Sequence, residues 1–430
     1  MASVTDLLLT SNRPCLLGVA ILACTVASST VNAQPFTFDA VYRARYESKQ
    51  DFNFSGGEQT YTLSRLRLDF GYRLSDQSNI FVRLQDARVF GESRTGVPPV
   101  NDSAVPNIFA DQLDFNQAYY EHDFGAVTLR AGRQALDLGD RRFVGSQEWV
   151  NTGRVNDGIR FTIDGGESRQ IDVFFSRLVA VDPNSLNDQV TVGNRYLDSE
   201  YHGIVVGERH GTDRQFEYWY LYRGNSDLDD QVHTIGARVV RQAAPWRFEL
   251  QGAWQFGDFD GLDHNATMLH TSVTRDLDAG SLTVSYSYGS GDDDPNDDKH
   301  RTFDNLYPRN HPVYGHMDLF SLQNVHNIEL AYLRPVSERL RLRAAVNGFW
   351  LDDANNDAWY NAGRAPVRRA TSSADSYVGS ELDLMLTFTL IPNQLSLNTG
   401  LSRFFGGDFL DDTGAGGDAD FFYLQLSYSP

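Results

Sequence analysis

The feature that most restricts this chain is a two-residue alternation of apolar and polar side chains, sustained over long runs. Residues 61–73 set Leu66, Leu68, Phe70 and Tyr72 against Arg65, Arg67, Asp69 and Arg73. Residues 280–289 set Leu282, Val284, Tyr286 and Tyr288 against Ser281, Thr283, Ser285 and Ser287. The same pattern holds at 338–351 and 376–391, where Leu340, Leu342, Val346, Leu382 and Leu384 alternate with charged and hydroxyl residues. Period two is the signature of strands wet on one face. No comparably long 3.6-residue stripe follows the N-terminal segment. About eighteen such strands can be placed between residue 36 and residue 429, and the connections between them run long, short, long, short. A secreted sandwich has no reason to tighten every second connection. A transmembrane barrel has one, since its periplasmic turns are short and its extracellular loops long. The expected fold is therefore all-β: a transmembrane antiparallel β-barrel of about eighteen strands with short periplasmic turns and long extracellular loops.

Hydropathy and charge are compatible with that reading and exclude others. A mean hydropathy of −0.40 rules out repeated apolar helices through a bilayer. Barrel strands need apolar residues only at alternate positions, so their average stays low. A formal net charge of −20 excludes a nucleic-acid partner, which needs a basic surface. The acid is concentrated in connections, as at Asp292-Asp293-Asp294, Asp352-Asp353 and Asp411-Asp412.

Residues 1–33 read as a signal peptide: Arg13, an apolar run from Leu16 to Ala27, then Val31-Asn32-Ala33 as a cleavage site. The remaining 34–430 form the barrel. Both cysteines, Cys15 and Cys24, fall in the leader, so neither disulfides nor a thiol nucleophile is expected in the mature chain. The expected location is the outer membrane of a Gram-negative bacterium, with membrane lipid as an obligatory partner and a monomer favoured over a trimer.

Eighteen strands enclose a channel, so function follows from its lining. Basic residues are almost all arginine; only Lys49 and Lys299 are lysine. The wet faces carry Arg43, Arg45, Arg65, Arg67, Arg83, Arg130, Arg160, Arg339, Arg341 and Arg343. Rings of such residues select anions. They can equally brace the wall by pairing with Asp69, Glu329, Glu381 and Asp383. Both readings stay open here.

The run Gly132-Arg133-Gln134-Ala135-Leu136-Asp137-Leu138-Gly139-Asp140-Arg141-Arg142-Phe143-Val144-Gly145, followed by Trp149-Val150-Asn151-Thr152-Gly153-Arg154 and Asp157-Gly158-Ile159-Arg160, resembles the signature region of the alginate-export family of outer-membrane β-barrels. Tyr314-Gly315-His316-Met317-Asp318-Leu319 and Val378-Gly379-Ser380-Glu381-Leu382-Asp383-Leu384 resemble two further motifs of that family. The resemblance implies an eighteen-stranded channel whose arginine-rich lumen passes an anionic polysaccharide. It also implies a long periplasmic turn at the inner mouth; the short turns read here point instead to passive passage in either direction. The C-terminal Tyr428-Ser429-Pro430 departs from a terminal aromatic.

The connection after residue 136 either stands outside or folds into the pore. Arg133, Arg141, Arg142 and Arg154 with Trp149 and Asn151 would suit a sugar acid: guanidinium for carboxylate, ring face for pyranose, amide for hydroxyl. The opposing possibility pairs those arginines with Asp137, Asp140, Glu148 and Asp157. The expected function is an outer-membrane channel for anionic, alginate-like uronate polymers or oligomers. The alternative is a general porin for small solutes with paired luminal charges. No cofactor is expected, apart from a Ca²⁺ site conceivable at Asp292, Asp294 and Asp298. His300, His311, His316 and His326 lack zinc spacing. No serine, histidine and carboxylate set stands out, so no enzyme is expected.

Overall fold

A computed structural model describes residues 35–91, 106–187, 199–311 and 313–430. The leader expected at 1–33 lies outside the described residues. In chain order the strands are β1 (Phe36–Gln50), β2 (Glu58–Ser75), β3 (Ser78–Phe90), β4 (Asp111–Asp123), β5 (Val127–Gln134), β6 (Asn156–Asp164) and β7 (Arg169–Leu178). They continue as β8 (Glu200–His210), β9 (Arg214–Asn225), β10 (Asp230–Ala243), β11 (Trp246–Phe259), β12 (Leu262–Leu277), β13 (Gly280–Gly289) and β14 (Lys299–His300). The last are β15 (Val325–Ser337), β16 (Leu340–Trp350), β17 (Ala358–Tyr360), β18 (Pro366–Arg369), β19 (Tyr377–Ile391), β20 (Leu395–Gly406) and β21 (Ala419–Tyr428), with the short helix α1 (Asp408–Thr413) before β21.

Setting aside β14, β17 and β18, which belong to loops, eighteen strands pair antiparallel with their chain neighbours. β1 pairs with β2 on one side and with β21 on the other, from Tyr42↔Tyr428 to Gln50↔Asp420, which closes the barrel. The alternation read from sequence maps onto its two faces. Leu250, Phe175 and Leu401 point outward and are 55%, 53% and 57% exposed. So much bare apolar surface is tenable only against lipid.

The turns at one end are all short, among them Asp76-Gln77, Asp278-Ala279 and Glu338-Arg339. At the other end two connections expected to be long are tight. β11 and β12 run on to a turn at Asp260-Gly261, both with positive φ (56° and 75°), the conformation a two-residue hairpin of the Asp-Gly type requires. β9 and β10 are likewise joined by 226–229 alone.

The interior departs from the expected polar lumen. Three connections, 135–155, 290–324 and 351–376, fold inward and bring an apolar core into the barrel. Phe143, Phe303, Leu306, Tyr307, Tyr314, Phe320 and Trp359 from these loops are buried against inward wall residues such as Phe174, Tyr201, Trp219, Phe349 and Phe404. Phe320 stacks on Phe349 at 3.8 Å, and Trp359 Nε1 donates to Leu319 O at 2.8 Å. The isolated bridge Leu138↔Val144 closes the first inserted loop on itself, and Val144↔Tyr307 ties it to the second. Inward apolar side chains thus serve the loops, which could not otherwise bury their own.

Candidate pore constriction

Four inward arginines on two neighbouring strands converge on one turn of the first inserted loop. On β1, Arg43 donates to Glu148 O (2.7 Å), Val150 O (3.1 Å) and Asn151 Oδ1 (3.2 Å). Arg45 donates to Trp149 O at 2.7 Å and pairs with Glu47 at 2.6 Å. On β2, Arg65 and Arg67 reach the Glu148 carboxylate at 3.0 and 2.8 Å. Burial alone would raise the Glu148 pKa, but Arg67 and then Arg65 outweigh it and bring the carboxyl down to about 2. The arginine wall predicted on these strands is present, and the inserted loop occupies it.

Farther around the barrel the wall arginines are paired. Arg83 binds Asp69 with contacts of 2.7 and 2.5 Å, Arg130 binds Glu121 at 2.9 and 2.5 Å, and Arg160 binds Asp172 at 2.9 and 2.7 Å. Arg343 meets Glu329 at 2.6 Å. Arg341 shares that inward face and is exposed close to the short-turn end. Two placements differ from the sequence reading. Arg339 sits in the turn between β15 and β16, not on the lumen wall, because β16 begins one residue later at Leu340. Arg133 shares its register with Ala131 and the outward Ile159, so it lies on the outer face, bound to Asp157 at 2.9 and 3.0 Å.

The three motifs form one assembly. Arg142, in the first loop, donates to Tyr314 Oη in the second at 2.7 Å and to Gln251 Oε1 on β11 at 2.8 Å; Asp140 lies 3.2 Å away. Burial works against the Arg142 charge, yet Tyr314 and Asp140 hold its pKa above the usual arginine value. Glu381 Oε1, on β19, accepts the backbone N–H groups of His316 (2.5 Å) and Met317 (3.0 Å). Gly315 (φ +81°) passes so close that a Cβ there would lie 2.6 Å from both Glu381 oxygens. The two shorter motifs are thus the two sides of a single clamp.

Trp149 and Asn151 are committed to this framework. The Arg45 guanidinium lies 3.7 Å from the Trp149 ring centroid and His311 stacks on it at 3.8 Å and 8°. Two groups that close cannot share a face, so both faces are covered and neither is left for a pyranose. Asn151 is fully buried and donates to Ser64 O, Arg88 O and Phe109 O at 3.1, 3.2 and 2.8 Å. Its amide reads backbone rather than a sugar hydroxyl.

A different group of arginines reaches solvent on the inserted loops. Arg141 is 46% exposed, with only a long 3.6 Å contact to Asp137. Arg154 donates to Gly145 O (3.0 Å), Pro308 O (2.8 Å) and Gln147 Oε1 (2.9 Å), with no carboxylate partner among the described residues. Burial, and next Arg364, push its pKa well below the usual arginine range. Arg154 and Arg364 lie 5.8 and 5.6 Å from the Tyr307 ring centroid. Arg309 lies beside Gly145, its N–H bonded to Arg141 O and its buried Nε without a partner. Arg309 and Arg364 were not anticipated, since loop positions have no periodicity to sort them by. Arg238, paired with Glu249 and Glu217 at 2.8 and 3.0 Å, and the buried Arg223, bound to Asp230 and Asp304, were also missed. Their inward parity on β10 and β9 would have revealed them.

The acidic loop at 292–298 holds a cation of its own. Arg301 lies 3.4, 3.3 and 2.6 Å from Asp292, Asp293 and Asp297. Among the described residues no group of three or more His, Cys, Asp or Glu is arranged to hold a metal.

A family model described as alginate export matches residues 34–422. No curated protein matches the chain. Solved structures with the same fold include three Pseudomonas aeruginosa proteins. OpdO is 12% identical with a TM-score of 0.64, covering 92% of this chain and 97% of its own. OccK11 (OpdR) is 13% identical, TM-score 0.58, covering 92% and 95%. OccK2 (OpdF), solved in complex with glucuronate, is 12% identical, TM-score 0.60, covering 92% and 99%.

Proposed function

The chain belongs to the alginate export family of outer-membrane β-barrels, and from that premise we propose that it is a passive channel for anionic, uronate-type sugar polymers or oligomers. The observation that carries this reading is the contrast between wall and loops. Most wall arginines are spent on carboxylates or on the inserted turn. Arg154 and Arg309 face solvent in part, with no carboxylate partner among the described residues. Positive charge that is under-compensated where water is scarce is stabilised by a passing anion, and a guanidinium suits a carboxylate in particular. A glucuronate complex in a barrel of the same fold supports the uronate class for this one. The role is transport rather than catalysis, and a monomer is the working state.

The pairs Arg83–Asp69, Arg130–Glu121, Arg160–Asp172 and Arg343–Glu329 favour a second reading, a general porin with a neutralised wall. Block of single-channel current by glucuronate oligomers separates the two. The uronate channel is blocked by micromolar to millimolar oligomer, and the Arg154→Ala/Arg309→Ala double variant loses about tenfold or more in apparent affinity, as removal of charge-assisted bonds would produce. Absence of block in the wild-type protein would favour the general porin.

A further inference from the structure

We propose that Glu148 is a built-in substitute for the substrate carboxylate: it occupies the Arg65–Arg67 site at the constriction and so limits how strongly the pore prefers anions. This rests on the uronate-channel reading and names a residue that sets its selectivity.

The loop turn does not need this carboxylate to stay in place. Its backbone is held by Arg43 and Arg45 through the carbonyls of Glu148, Trp149 and Val150. Asn151 fixes it to three further carbonyls, Gln85 Nε2 donates to Thr152 O at 2.9 Å, and Thr152 Oγ1 donates to Asn107 O at 2.9 Å. Packing adds Trp149 between Arg45 and His311. Among the described residues the ion pairs of the Glu148 side chain are those with Arg65 and Arg67, at 3.0 and 2.8 Å.

Exposure points the same way. The Glu148 side chain is 42% exposed, whereas Arg65 and Arg67 behind it are 9% and 7% exposed. The carboxylate therefore stands between the guanidinium pair and solvent, in the position that an incoming carboxylate would take. Rotation of that side chain would take the carboxylate away from both guanidinium groups while Arg65 keeps its bond to Glu148 O (3.4 Å) and Arg67 its bond to Gln85 Oε1 (2.8 Å). Among the described residues the four arginines Arg43, Arg45, Arg65 and Arg67 meet two carboxylates here, Glu47 and Glu148, and Glu47 is shared with Lys49 at 3.6 Å. Neutralising Glu148 removes one of these two negative charges and leaves the guanidinium cluster one charge further under-compensated. With a pKa of about 2, Glu148 stays charged throughout the physiological range, so competition, not titration, displaces it.

The test is the reversal potential of purified full-length protein in planar bilayers under a KCl gradient, for wild type, Glu148→Gln and Glu148→Asp, with sodium glucuronate as blocking probe. The expected result in Glu148→Gln is an anion permeability about fourfold higher and a cation permeability about fourfold lower, hence a permeability ratio raised by up to about sixteenfold, the effect of removing one unit charge about 5 Å from the ion path in water. Glucuronate affinity rises alongside it, while Glu148→Asp, which keeps the charge, stays near wild type. A residue that merely shapes the loop would shift both variants equally; that result, or an unchanged Glu148→Gln, overturns the proposal. A wild-type pore that prefers cations overturns the channel reading on which it stands, a failure distinguishable from an anion-selective wild type with an inert Glu148.

Discussion

At the residue scale, the wall arginines have partners that follow from their surroundings. Inward parity placed Arg43, Arg45, Arg65 and Arg67 correctly, because period two depends only on the strand. Apart from Glu47 beside Arg45 and Gln85 beside Arg67, their partners were not legible, since an inserted loop more than eighty residues away along the chain supplies them. Trp149 and Asn151 read as sugar contacts for the same reason: composition shows an indole and an amide but not what already covers them. The Glu148 carboxyl carries a pH prediction. Its folded pKa is lowered from 4.5 to about 2, so its contribution is complete above about 4.5 and is lost as pH falls through about 2. Conductance and open-channel noise therefore stay level between pH 8 and 5; a step in that window would show that another group controls the loop. Gly315 offers a sharper probe. Alanine there adopts an unfavourable left-handed φ and meets the Glu381 oxygens, costing about 1–3 kcal/mol. Gly315→Ala should raise channel noise and protease cleavage near 310–318 while barrel strand content, read by circular dichroism, is unchanged.

At the scale of elements, strands were the legible part and loops were not. Each strand carries its own repeating signal, and the tight turns bracket it. Even the Asp260-Gly261 hairpin was readable in principle, since Asp-Gly between alternating runs is a turn signal. That 290–324 and 351–376 fold inward was hidden, because their apolar residues have no period and find partners only in the closed barrel. The first inserted loop is the proposed narrowing element. Replacing 139–153 with a short Gly-Ser linker should leave a folded, heat-modifiable barrel whose single-channel conductance rises about twofold or more, as expected when a constriction is removed. An unchanged conductance would place the constriction in the other two loops.

At the scale of the whole molecule, a net charge of −20 and the proposed anionic cargo are compatible because they concern different surfaces. Acid lies largely in solvent-exposed stretches of the connections, such as 293–298 and 411–412, while guanidinium groups gather where the inserted loops meet the wall. The barrel turns an apolar face to lipid and keeps a second apolar core inside. That core holds three loops in which Arg154 and Arg309 have no carboxylate partner among the described residues. Selectivity then belongs to the constriction and not to the particle. The most direct measurement is the reversal potential of the wild-type channel across a tenfold KCl gradient at neutral pH. The expected potential has the sign of an anion-selective pore and is diminished in the Arg154→Ala/Arg309→Ala variant. A cation-selective potential, or one that the double variant leaves unchanged, would contradict it.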